Sequence, residues 1–97
     1  STQILTAVTE ITLALPSAAT IAAGAQITQQ NNSSAYGVCK TSITGGTTLT
    51  IIGEQGTFDT TNDLVVNGSS ISITPDSRTV VYTSKPMWTD TLDGGTF

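Results

Sequence analysis

The stretch Leu64-Val65-Val66-Asn67-Gly68-Ser69-Ser70-Ile71-Ser72-Ile73 decides the fold class. Asn-Gly between two alternating runs is the strongest short hairpin signal a sequence carries. The type I′ turn it favours needs positive φ at both central residues, which Asn and Gly tolerate. The pair predicts a two-residue loop with Val66 opposite Ser69 and Leu64 opposite Ile71. Leu64, Ile71 and Ile73 then share one apolar row.

Working outward, Pro75-Asp76 reads as a turn, followed by a strand over Arg78–Thr83 that ends at Lys85-Pro86. Upstream, Gly45-Gly46 predicts a second hairpin between 37–44 and 48–53. A three-residue loop, Gly45-Gly46-Thr47, would pair Ile43 with Leu49 and Thr41 with Ile51. That register gathers Cys39, Ile43, Leu49 and Ile51 on one face, so it is preferred to a two-residue loop that mixes polar with apolar. At the start of the chain, Leu5-Ala7-Thr9-Ile11-Leu13-Leu15 forms an odd-numbered, mostly apolar row. It predicts one long strand stopped at Pro16. Residues 16–24 read as a bend at Ala23-Gly24, with a helical turn as the alternative. Gln29-Gln30-Asn31-Asn32-Ser33-Ser34 reads as an exposed, mobile polar loop.

No stretch shows a helical stripe, and β-branched residues abound. The expectation is an all-β fold: one small barrel or sandwich of about six mostly antiparallel strands with extended terminal arms. The whole chain, 1–97, reads as one domain, with an N-terminal strand or arm at 1–15, a β core at 20–84 and an irregular tail at 85–97.

Composition narrows the chemistry. The 97 residues hold seven acids, three bases and no His, for a formal charge of −4. Without His there is no Ser/His/Asp or Cys/His arrangement and no imidazole ligand. One cysteine, Cys39, leaves no internal disulfide and no thiolate metal site. It falls mid-strand on the apolar face, where Cys acts as a small hydrophobe. Three bases argue against a phosphate-binding surface, so nucleic acid is not an expected partner. Nothing resembles a membrane span, and Ser1-Thr2-Gln3-Ile4-Leu5 lacks the basic region and apolar run of a signal peptide. Asp90 and Asp93, before Gly94-Gly95, form the one acidic cluster of interest. Two carboxylates fall short of a strong calcium site, so no metal and no cofactor is expected. Glu54, Asp59 and Asp63 read as solubilising loop residues. The glycosylation triplets at Asn31, Asn32 and Asn67 are short enough to arise by chance. The aromatics Tyr36, Phe58, Tyr82, Trp88 and Phe97 show no clustering that would make a stacking surface.

The order Ile21, Gly24, Ile27, then Ser33-Ser34-Ala35-Tyr36-Gly37-Val38, Gly46-Thr47-Thr48-Leu49-Thr50-Ile51, Gly56-Thr57-Phe58 and Leu64-Val65-Val66 resembles a short β module. Such modules recur in virion proteins of tailed bacteriophages, especially marine and cyanobacterial ones. Tyr36 departs from the pattern, which more often has threonine there. The resemblance covers a little over half the chain and leaves out 1–19 and 75–97. It implies a non-enzymatic structural role in a virion, assembled from protein made in the host cytoplasm. The small size fits a capsid decoration (cement) protein on the outer head surface. A small tail, neck or baseplate component is the alternative, and a bacterial surface adhesin or pilus-like module is a third. The implied partners are the major capsid protein or other virion proteins, with many copies or a homo-oligomer in the particle.

The apolar N-terminal strand carries little charge to protect an edge, which invites pairing with another chain. Leu5, Ile11 and Leu13 are therefore expected at an interface, together with Trp88 and Phe97 of the tail.

Overall fold

The computed structural model of the chain describes residues 9–83. They form an all-β fold of seven strands: β1 (Thr9–Ile21), β2 (Gln26–Gln29), β3 (Asn32–Cys39), β4 (Ile43–Gln55), β5 (Leu64–Val66), β6 (Ser69–Ser70) and β7 (Ser77–Thr83). All pairings are antiparallel, in the order β6-β5-β2-β3-β4-β1-β7. The single sheet curls into a half-barrel, so its concave face serves as the inside of the domain.

The β5–β6 hairpin forms as its residues dictate. Asn67 and Gly68 have φ of 50° and 86°, and Val66 faces Ser69. The Ile71 N–H donates to the Leu64 carbonyl at 3.1 Å, which continues the expected register. The Leu64 N–H donates in turn to the Ile73 carbonyl at 2.8 Å. The strand after Pro75-Asp76 also forms, as β7.

The Gly45-Gly46 pair is not a hairpin turn. It lies inside β4, and the chain reverses earlier, at 40–42. Cys39 pairs with Ile51, and Ile43 pairs with Ile21 across β1 rather than with Leu49. Gly45 has φ of 61°, which lets β4 bend without strain. The bend answers an irregularity in β1. From Ala14 to Ala19 that strand advances five residues while β4 moves only from Thr48 to Gly46. Pro16 sits inside this bulge, so β1 is not stopped there and continues to Ile21. Proline has no N–H to donate, and the β7 ladder already ends at Ala14 opposite Ser77. The expected bend at Ala23-Gly24 is present as the turn into β2. The 29–34 stretch is no mobile loop. Asn31, at φ 55°, closes a tight turn between β2 and β3.

The odd row of β1 faces the inside. Ile11, Leu13 and Leu15 pack with Ile21, Ile27, Leu49, Ile51, Phe58, Leu64 and Ile73, all buried. Ile43 and Ile71 lie at the margin of the same cluster. Small residues on the inner row of β3, Ala35, Gly37 and Cys39, make room for larger neighbours. A Cβ at Gly37 would collide with Ile51 Cγ2, so the close approach of β3 and β4 depends on that glycine. Each buried Leu or Ile contributes about 1.5–3 kcal/mol through its apolar area, and that contribution holds the curl closed.

Candidate functional site

The residues expected at an interface divide into two groups. Ile11 and Leu13 belong to the core, with no exposed surface. From Thr9 to Ala14 the backbone of β1 pairs with β4 on one side and β7 on the other. This part of the chain is a central strand, so the expectation of an intersubunit arm there is corrected. The reason is that β7 occupies the edge of β1 that an isolated arm would leave open. Leu5, Trp88, Phe97, Asp90 and Asp93 lie outside the described residues.

The exposed edge belongs to β7. Its outer side has no partner strand among the described residues. Val80 and Val81 are 48% and 50% exposed and are, among the described residues, the large apolar side chains most open to solvent. Ile11 faces Val80 while Glu10 faces Tyr82, so Val81 is the extra residue of a bulge. A bulge twists an edge and is one of the devices that discourage uncontrolled pairing. The opposite edge, β6, is two residues long and offers little to pair with.

Beside this edge the outer face is lined with small hydroxylic residues. Thr12 stands between Thr50 and Thr79, and Ala14 between Thr48 and Ser77, across β4, β1 and β7. Short side chains leave this face flat, with methyls and hydroxyls in adjacent rows.

Three polar groups hold the framework. Arg78 on β7 forms a two-bond ion pair with Glu54 on β4, through Nε at 2.9 Å and a second guanidinium nitrogen. The Glu54 side chain is only 2% exposed, and its carboxylate also accepts the Phe58 N–H at 3.0 Å. Glu54 is thus a strand residue with a buried carboxylate rather than a solubilising loop acid. The hydrogen bond to Glu54 raises the Arg78 pKa, which keeps the guanidinium charged against the effect of burial. The pair ties the edge strand to a strand two places away in the sheet.

The second group is the buried Gln29. Its Nε2 donates to the Asp59 and Asn62 carbonyls at 2.9 and 3.0 Å. Its Oε1 accepts from Asn32 Nδ2 and the Asp59 N–H, each at 2.8 Å. Every polar position of the carboxamide is used, as burial demands. Asn32 Nδ2 also donates to the Thr57 carbonyl at 2.9 Å, so the β2–β3 turn clamps the 56–63 loop.

Asp59 organises that loop from within. Its carboxylate accepts from the Thr61 and Asn62 N–H groups at 3.1 and 3.0 Å and from Asn62 Nδ2 at 2.7 Å. Burial pushes its pKa up, but these hydrogen bonds outweigh burial and hold it below the ordinary aspartate value. Asp63 accepts the Thr74 hydroxyl. At the other end of the sheet Lys40 Nζ lies 2.8 Å from Glu10 Oε1.

These groups are arranged for structure. Cys39 is buried, and desolvation raises its thiol pKa, so the reactive thiolate is disfavoured. Among the described residues no group of three or more acidic or thiol side chains gathers to hold a metal ion, and no cavity opens. Sequence reading missed Gln29, Glu54 and Arg78 as organising residues. The available signal for Glu54 was its place before Gly56, where a strand turns back over the core. No local pattern marks Gln29, whose partners in the 56–63 loop are about thirty residues away. No family model, curated protein or solved structure matches this chain.

Proposed function

We propose that the chain is a non-enzymatic structural protein of a phage virion, acting as a capsid decoration protein on the outer head surface. It would be made in the host cytoplasm and assembled in many copies, with the major capsid protein as its main partner. Two things support the reading. One is the resemblance of residues 20–74 to a module of tailed-phage virion proteins. The other, which carries it, is the edge of β7, which has no partner strand among the described residues and leaves Val80 and Val81 half exposed. A seven-residue strand at the edge of the described sheet presents backbone groups that no other described strand pairs, and an extended segment of a partner can continue the sheet there. The flat hydroxylic face alongside it allows close approach without burying charge.

The test is binding of the purified full chain to empty capsids of the cognate phage, read by sedimentation. Saturable binding to heads supports the reading. Recovery of the protein with tails or baseplates in fractionated particles replaces it with the tail, neck or baseplate alternative. Absence from particles removes the virion assignment. A Val81→Lys variant that folds normally yet loses head binding would locate the contact at β7, because a charge on the edge blocks pairing.

A further inference from the structure

The β5–β6 hairpin that organises one edge of the sheet also carries a reactive dipeptide. Asn67 and Gly68 are both exposed at its tip. An asparagine followed by glycine is the arrangement best suited to spontaneous loss of the side-chain amide, because no side chain shields the next backbone nitrogen. The other Asn steps in the described residues, Asn31-Asn32, Asn32-Ser33 and Asn62-Asp63, carry a Cβ on the following residue.

The folded turn opposes the reaction. Asn67 Oδ1 accepts the Gln26 N–H at 2.9 Å, and the Asn67 N–H donates to the Gln26 carbonyl at 2.8 Å. The carboxamide is therefore engaged with the end of β2, and both turn residues are fixed in the left-handed region. Bringing Cγ of Asn67 onto the Gly68 nitrogen requires that the Gln26 bond break and the turn open. That opening is local. The β5–β6 ladder pairs Val65 with Ser70 and Val66 with Ser69, only the Leu64 bonds to Ile71 and Ile73 continue it, and β6 lies at the edge of the sheet. Short edge elements open at free energies far below that of global unfolding.

We propose that Asn67 is a spontaneous deamidation site gated by opening of the β5–β6 hairpin. In the opened state the Gly68 amide loses its proton and its nitrogen attacks Cγ of Asn67. The N–Cγ bond forms, the Cγ–Nδ2 bond breaks, and the amide leaves as ammonia with the proton. Water then opens the cyclic imide at either carbonyl, leaving an ordinary aspartate at this position or its β-linked isomer, with no change of oxidation state. The aspartate product keeps an oxygen to accept the Gln26 N–H. The β-linked product adds a backbone carbon to a loop whose geometry allows two residues, so β6 loses its register. The hairpin would thus record the age of the folded protein, independently of the role proposed above.

The experiment incubates the full-length protein at mildly alkaline pH, with and without denaturant, and follows each Asn by peptide mapping. The expected result is that Asn67 converts fastest of the described Asn residues, and at least about tenfold more slowly folded than unfolded. Its rate should rise in step with hydrogen exchange at the hairpin amides as denaturant is added below the global transition. Equal rates in the folded and unfolded chain would overturn the gating. Conversion of another described Asn before Asn67 in the folded protein would overturn the site. The Asn67→Asp variant should retain protection of the Ser69 and Ser70 amides, and the isolated β-linked product should lose it; loss in neither form would remove the structural consequence.

Discussion

Two glycine-centred dipeptides sit in this chain between β-forming runs, and they have opposite fates. Asn67-Gly68 makes a two-residue turn. Gly45-Gly46 lies within a thirteen-residue strand. The first hairpin is closed by residues within ten positions of one another, and both turn residues take positive φ. At the second, only Gly45 does, and the neighbouring partners come from β1, more than twenty residues earlier. A turn signal holds where the local pairing is the best one available. It yields where a long distant strand offers a deeper apolar row, as β1 offers to β4.

The comparison breaks most severely if its distant half is removed. Leu13→Ala takes a fully buried side chain from the β1 row that holds β4 extended, and about 2–5 kcal/mol should be lost. The measurement is the urea midpoint at constant m-value. An unchanged midpoint would mean that β1 is not the strand organising β4.

Next in size is Glu54→Ala. It removes the partner of Arg78 and the acceptor of the Phe58 N–H, for an expected loss of about 2–3 kcal/mol. Hydrogen exchange should rise first along β7. Loss confined to β4 would show that the pair does not fasten the edge.

The glycines themselves sharpen the contrast. Gly68→Ala places a Cβ at φ 86° and should destabilise the chain by about 1 kcal/mol. Gly46→Ala should fall within about 0.5 kcal/mol of the parent, since Gly46 lacks positive φ and its Cβ would sit 3.4 Å from Ile43 Cβ. Equal losses at both sites would restore a hairpin turn at 45–46.

The smallest effect concerns pH. The Asp59 pKa is lower folded than unfolded, so this carboxylate stabilises the protein above its unfolded pKa. That contribution falls away as pH drops through the folded pKa. Asp59→Asn should flatten the acid limb of the stability profile while leaving the β5–β6 hairpin exchange unchanged. A profile identical to the parent would show that the carboxylate's hydrogen bonds add nothing.

Much of the fold was legible in the residues. The odd row of β1, the Asn67-Gly68 turn, the strand after Pro75-Asp76 and the burial of Leu49, Ile51, Leu64 and Ile73 all follow from period-two patterning and turn chemistry. The burial of Cys39 and the place of Ile43 at the margin of the core were also visible, although their strand register was not. The placement of Ile11 and Leu13 shows the limit. An apolar alternating strand reads the same whether it is an exposed arm or a central strand. Only the presence of β7 on its far edge distinguishes them.

Residue types alone determined that this chain would be a β protein, where its shortest hairpin would turn and which rows would be apolar. Those properties depend on backbone freedom at one or two positions and on side-chain alternation along one strand. Tertiary structure decided the rest: β1 as a central strand, Gly45 as a bend rather than a turn, Gln29 as the clamp on the 56–63 loop and Glu54 as the anchor for β7. Each of these depends on partners twenty or more residues away. Which partner a strand or polar side chain finds depends on the combined burial and hydrogen bonding of the whole sheet, and no short window of sequence contains that sum.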